Sequence, residues 1–378
     1  MPGIHVPRSG YQAPVIDYYS GQPPQLWDDQ QPVEHFLGEL GKRSWLRLDY
    51  IHWSFESADS QNIGAPVTNL IPPLNVTSTQ AGSGAFGVAT IPNASGLSLN
   101  DTPGARGTWG LDLTNAEFEL EFFGTGQNDS SFSITNISGF RPATATGIGT
   151  EERPNVVIPL RSSGAVVDAD TANYLLFDDS FTAGLRGQMW GTEASLLTKR
   201  YIPGDGLGLQ WLGGFRYLSY DEEFSAQGTF NNGGLIANEV TRIQANTTNQ
   251  MYGPEVGFRT SVNHRWFTFS ATPRIAFTLN DHSAATAFNG VSVGSGSEVD
   301  FTPIVQVSFV GELHLTPNFS VFGGYDMMWI YRLTRPYDNV VYDSSPGLAG
   351  AFNTDISQAI DLNSFSAEGL SIGCVFRY

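Results

Sequence analysis

The residues that offer chemistry in this chain are few and scattered. His5, His35, His52, His264, His282 and His314 are its histidines, and none stands in an HExxH or comparable metal-ligand pair. His52 with Asp49, or Asp281 with His282, would bring a base and a carboxylate to the rim of a barrel, the place where outer-membrane proteases keep such groups. General-base work needs hydrogen-bond geometry that adjacency in sequence does not supply, so solvated rim histidines are expected instead. No nucleophile elbow presents a serine for Ser-His-Asp catalysis. A single cysteine, Cys374, excludes an intrachain disulfide and a cysteine-based metal cluster. Gly82-Ser83-Gly84-Ala85-Phe86-Gly87 fits GxGxxG, but no strand pattern precedes it and no helix opens after it, which leaves a phosphate without its cradle. Asp168, Asp170 and Asn173 have part of a calcium-loop spacing and lack its glycine and closing glutamate. The chain is therefore read as a non-enzyme without catalytic residues, metal site or cofactor.

The charged residues form a stronger pattern. Arg47 and Asp49 share parity along the chain, as do Glu117, Glu119 and Glu121, and each set alternates with apolar or aromatic residues. The same holds for Arg216 with Glu222, Glu255 with Arg259, and Asp326 with Arg332; Arg274 and Glu312 stand likewise in their own segments. On a soluble sandwich this would be a solvated outer face. In a barrel whose other face meets lipid it becomes the lumen lining, where mixed charges attract solutes or pair off and plug the path.

Period-two alternation identifies the elements that must position these charges, because successive side chains of a strand point to opposite faces. One criterion applied throughout predicts ten strands, at 44–56, 105–113, 116–123, 185–197, 207–222, 249–260, 266–279, 301–314, 319–332 and 365–378. Long and short connections alternate between them, as in a barrel with tight periplasmic turns and long extracellular loops. The fold class expected is all-β, a closed antiparallel transmembrane barrel of about ten strands, with twelve if a hairpin hides around 131–140. Leu209, Trp211, Phe215, Tyr217, Phe267, Phe269, Val305, Val307, Val321, Tyr325 and Ile372 should face lipid. Residues 44–378 make up this barrel. Residues 1–43 are a separate, Pro- and Gln-rich periplasmic segment, with a short helix from Pro32 that Gly41 closes.

The 378 residues carry a formal charge of −18, with Lys42 and Lys199 the only lysines, so nucleic-acid binding is disfavoured. No run of 18 apolar residues provides a spanning helix, which leaves a barrel open. Met1 to Gln30 lack the basic start and apolar stretch of a signal peptide.

Several segments together resemble the porin-like outer-membrane β-barrel family of planctomycete bacteria. They are Arg43-Ser44-Trp45-Leu46-Arg47-Leu48-Asp49-Tyr50, Gly191-Thr192-Glu193-Ala194, Gly214-Phe215-Arg216-Tyr217 with Asp221-Glu222, and Tyr252-Gly253 with Gly257. Gly324-Tyr325-Asp326 with Arg335-Pro336, and the closing Gly369-Leu370-Ser371-Ile372-Gly373, complete the set. The resemblance implies a barrel in the bacterial outer membrane and transfers no functional residue. The final strand adds an aromatic end, Phe376 and Tyr378, of the kind by which such barrels are recognised for insertion.

The function expected is a narrow diffusion path for small hydrophilic solutes or ions, weakly cation-selective. The alternative is a non-conducting structural or adhesive barrel presenting acidic loops. Expected partners are outer-membrane lipid, small solutes or ions, and a surface-layer or other envelope protein. Ten or twelve strands permit at best a narrow lumen, because eight are just filled by their own side chains.

Overall fold

The computed structural model describes residues 40–58, 61–68, 74–78, 85–135, 137, 155–162, 167–168, 173–201, 207–231, 237–347 and 352–377. The chain divides into two units, Met1–Lys42 and Arg43–Tyr378. Of the helix expected from Pro32, only its end falls within the described residues, and Leu40 to Lys42 are helical.

Ten strands of the second unit close into a ring: β1 (Ser44–Phe55), β2 (Thr102–Asp112), β3 (Ala116–Thr125), β4 (Ser180–Thr198) and β5 (Leu207–Phe230), followed by β6 (Glu239–Asn263), β7 (Phe267–Phe288), β8 (Val291–Thr316), β9 (Phe319–Leu333) and β10 (Asn363–Arg377). Each pairs antiparallel with its neighbour in sequence, and β10 returns to β1 with Trp45 opposite Arg377. The barrel's first and last strands therefore begin and end at the same rim, the periplasmic one, beside the short turns. The strand expected near 131–140 is Asn128–Thr135, which continues the line of β3 and pairs with the upper part of β4. It adds no hairpin to the ring, and the count is ten.

Two expected loops are largely strand. β5 and β6 extend far beyond the membrane band, leaving 231–238 between them, and β7 and β8 meet in the two-residue turn Asn289-Gly290. Both turn residues have positive φ, 50° and 78°, which Asn and Gly tolerate and a tight hairpin with right-handed strand twist demands. The other long connections fold over the outer mouth as a six-stranded sheet of Leu74–Ser78, Ala85–Thr90, Asn155–Ser162, Asn173–Phe177, Val340–Pro346 and Phe352–Gln358. Val156, Val157, Ile158 and Leu160 are all buried in it, a continuous apolar run covered on both faces.

Burial alternates along the ring strands. Leu48, Tyr50, Trp211, Phe215, Phe267, Phe269, Phe301, Leu370 and Ile372 are exposed on the outside, an apolar band that only lipid can cover. The inward parity carries the core. A single cluster of buried apolar side chains runs from the upper lumen, at Trp53, Phe55, Tyr220 and Phe365, into the cap at Ile63, Ile158 and Phe177.

Candidate functional site in the barrel lumen

Halfway down the lumen the inward parity changes from apolar to charged, and every ring strand contributes. β1 supplies Arg47 and Asp49, β2 Arg106 and Thr108, β3 Glu119 and Glu121, β4 Glu193 and Ser195, and β5 Arg216. β6 adds Glu255 and Arg259, β7 Arg274, β8 Gln306 and Ser308, β9 Asp326 and β10 Ser371. Register puts them at one height: Asp49 lies opposite Arg106, Thr108 opposite Glu121, Glu121 opposite Glu193 and Glu193 opposite Arg216. On the far wall Arg274 faces Gln306, and Ser308 faces Asp326.

Within this belt almost every charge has a partner. Arg106 reaches Asp49 at 2.8 Å and Asp326 at 3.0 Å, and donates to Ser371 Oγ at 3.3 Å. Arg47 lies 3.4 Å from Asp49 and stacks 4.0 Å over the Phe322 ring. Across the lumen Arg216 joins Glu193 at 2.7 Å to Glu255 at 3.2 Å, Arg274 also donates to Glu193, and Ser195 Oγ lies 2.9 Å from both carboxylates. Arg259 grips Glu119 with two bonds of 2.7 Å, the bidentate fork that suits guanidinium to carboxylate. Taking such charges out of water is costly, and only close pairing of this kind offsets it.

The belt is tightly packed as well as paired. The side chains of Asp49 and Glu255 have 0% accessible surface, and those of Arg106, Arg216 and Asp326 keep 5%, 6% and 4%. A side chain lining a water-filled path would retain surface toward it. Arg47 and Arg259 keep 18% and 20%, and contacts from Arg106 to Asp326, Arg259 to Glu119 and Arg274 to Glu193 cross the lumen and narrow it.

Above the belt lies an aromatic layer, with Trp53 5.5 Å from Phe123, Phe55 5.7 Å from Tyr220 and Tyr220 4.9 Å from Phe365. Arg335, from the connection after β9, comes down onto this layer. It donates to both Glu222 oxygens, at 2.7 and 3.1 Å, and to the Glu56 carbonyl at 3.1 Å, while Tyr220 Oη donates to Glu222 at 2.8 Å. Burial alone would lower the pKa of Arg335, but the Glu222 carboxylate beside it overrides this and holds it well above its ordinary value. Below the belt, Glu117 accepts from Trp45 Nε1 at 3.0 Å and Gln210 Nε2 at 3.3 Å, next to a cavity of about 320 Å³ by the periplasmic turns.

Of the charged residues expected in the lumen, Arg47, Asp49, Glu119, Glu121, Arg216, Glu255, Arg259, Arg274 and Asp326 meet in the belt. Glu117 and Glu312 sit at its periplasmic edge, Glu312 held by Arg377 at 2.6 Å. Arg332 does not line the lumen. A bulge between Ile330 and Leu333 gives it φ 66°, breaks the alternation of β9 and leaves its side chain 53% exposed beside Asp300 at 2.7 Å. Sequence reasoning missed Arg106 and Glu193. Arg106 has the parity of Thr108 and the opposite parity to Trp109, which would have found it, and Glu193 lies inside one of the motifs carrying the resemblance. The rim pairs separate: His52 faces outward with Asp101 at 3.1 Å while Asp49 is buried inside, and Asp281 and His282 point to opposite faces of β7.

The closed ten-stranded ring, the lipid-facing apolar band and the charged lumen define a bacterial outer-membrane β-barrel. The chain belongs to the family described as "Putative beta barrel porin-7 (BBP7)", whose model matches residues 45–378. No curated protein matches the chain. Among solved structures it is similar to the outer membrane protease OmpT from Escherichia coli, with a TM-score of 0.49, 9% identity and coverage of 89% of this chain and 97% of that one. It is also similar to the translocator domain of the autotransporter NalP from Neisseria meningitidis, at TM-score 0.30 and 11% identity over 92% of each chain. The P. putida toluene transporter TodX follows at TM-score 0.18 and 8% identity, with 89% of this chain and 90% of that one covered.

Proposed function

We propose that this porin-family barrel is shut in its resting conformation and serves in the outer membrane as a non-enzymatic surface barrel that presents a folded cap. The observation that carries the reading is the belt: side chains from all ten strands contribute to it, and two of its carboxylates, Asp49 and Glu255, have no accessible surface. The apolar layer above argues the same way, since an ion leaving the belt upward would meet Trp53, Phe55, Tyr220 and Phe365 before any water. The cap, drawn from three long connections, offers an envelope or surface-layer protein an ordered face.

A second reading, a narrow path for small hydrophilic solutes or ions, is favoured by the porin family and by the polar make-up of the belt. It requires the belt and the aromatic layer to part together. Conductance of the purified protein in planar bilayers separates the two. The closed reading expects a silent membrane over a wide voltage range. Steady single-channel steps from the unmodified protein would overturn it in favour of the diffusion path.

A further inference from the structure

β7 and β8 rise past the end of β9; β7 stays paired with β6 up to Phe288 opposite Ile243, and only the far edge of β8 is left without a paired strand among the described residues. The pairing of β8 with β9 reaches no further than Ile304 opposite Ile330, whereas β7 and β8 stay paired up to Phe288 opposite Val291. On this hairpin His282 lies directly opposite Glu298, and Asp300 follows Glu298 on the same face. One ligand atom from each of the three lies within 4.8 Å of the others.

An acidic cluster alone would mean little, but the histidine adds an independent observation. His282 is 0% exposed, and its Nδ1 lies 3.3 Å from the Asn280 carbonyl oxygen. A carbonyl only accepts, so the contact places the ring proton on Nδ1 and leaves Nε2 with its lone pair outward, the tautomer and support characteristic of metal-binding histidines. Nε2 is buried and has no hydrogen-bond partner. What faces it is Asp300 Oδ2 at 3.9 Å, another acceptor. A lone pair and carboxylates pointing at one another need a positive charge between them, a metal ion or a proton. Arg332 does not fill that role: its Nη2 bonds Asp300 Oδ1 at 2.7 Å, on the other oxygen, which turns Oδ2 toward the histidine.

We propose that His282 Nε2, a Glu298 carboxylate oxygen and Asp300 Oδ2 form a site for a divalent transition-metal ion, with Zn²⁺ the best match to one imidazole and two carboxylates. Three protein ligands leave a fourth position for water or an external donor, and the exposed Glu298 is the entry from the outer side. The ion would fasten β8 to β7 where β9 no longer pairs with β8. Sequence inspection for ligand pairs passes over the site, because its members come from two strands joined by a tight turn.

The test is a titration of the folded full-length chain in detergent, first stripped with a chelator, using Zn²⁺ by calorimetry and Co²⁺ by its visible absorption. One Zn²⁺ per chain is expected, displacing Co²⁺ from the same site. His282→Gln and Glu298→Gln should each weaken binding by about tenfold or more. Asp281→Asn, on the opposite face of β7, should bind as the parent does. Glu298 is exposed, so its variant keeps the test decisive if His282→Gln fails to fold. Unchanged affinity in Glu298→Gln, equal loss in Asp281→Asn, or no Zn²⁺ uptake at all, the result for a proton shared between His282 and Asp300, would overturn the proposal.

Discussion

The lower and upper halves of the lumen are built from the same inward parity of the same ten strands, yet they are held by different forces. On β1, Arg47 and Asp49 enter the ion-pair belt, and Ile51, Trp53 and Phe55, the next residues of that parity, enter the apolar core. The belt gains little from area and depends on each charge finding its partner. The upper layer gains mainly from area, and its buried charges are confined to one pair, Glu222 with Arg335, among the described residues. Removal of one side chain should therefore hurt the belt through what it leaves behind, and removal of an apolar side chain from the upper layer only through what it takes away.

The largest effect is expected for Arg106→Ala, which leaves Asp49 and Asp326 buried without their shared guanidinium. Breaking a buried pair from one side costs about 3–5 kcal/mol. Replacing the trio together, as Arg106→Met with Asp49→Asn and Asp326→Asn, should recover most of that loss, because no charge is stranded. Denaturant unfolding in detergent measures both; a triple variant as unstable as Arg106→Ala would mean that packing, not charge, holds the belt.

Next come the two faces of β8. Val307→Arg puts a charge against lipid and should cost about 2–4 kcal/mol. From sequence, Gln306→Arg is expected to cost little, since Gln306 faces inward. The structure changes that expectation: Gln306 is 6% exposed and lies opposite Arg274, so the inside offers neither water nor a free counter-charge. Both variants should therefore be destabilised in lipid. A harmless Gln306→Arg would show that the lumen has room for water, and the contrast between paired belt and open pore would have to be redrawn.

These cases show what was legible in the chain. The ten strands stood out because lipid on one side and a packed lumen on the other impose strict alternation, as at Ala116 to Phe122. Their extensions did not: the run from Asn280 to Asp300 is dominated by Ala, Ser, Thr and Gly, whose small side chains give little contrast between faces. Its Asn289-Gly290 turn was a usable hairpin signal. The cap was hidden for another reason, since its pairings join connections far apart in sequence, such as Asp343 with Arg161. The parity of the belt was readable, but its pairing was not, because partners such as Arg259 and Glu119 meet across the lumen.

A smaller effect is expected one step above the belt. Ile304 is 0% exposed in the apolar layer, and Ile304→Val removes one methylene and strands nothing. It should cost about 0.5–1.5 kcal/mol. The loss should be the same in low and high salt, read from denaturant midpoints. Strong salt dependence would place Ile304 in the electrostatic half of the lumen and blur the boundary drawn here.

The smallest effect belongs to the cap, at the half-buried Asp338, which has no ion pair of its own among the contacts described. Burial pushes the Asp338 pKa up to about 6, against the hydrogen bond from Asn363 and the nearby charge of Arg335, while Asp361 and Glu222 add to the rise. The sign follows from linkage. The folded cap prefers the neutral acid, so this contribution to stability is complete below the unfolded value near 3.9 and disappears as pH rises through about 6. Hydrogen exchange at the Val340–Pro346 and Phe352–Gln358 pairing, corrected for intrinsic rates, should show stronger protection at pH 5 than at pH 7.5. Asp338→Asn should remove the difference and give the pH 5 protection throughout. The same pH dependence in Asp338→Asn would assign it to another group.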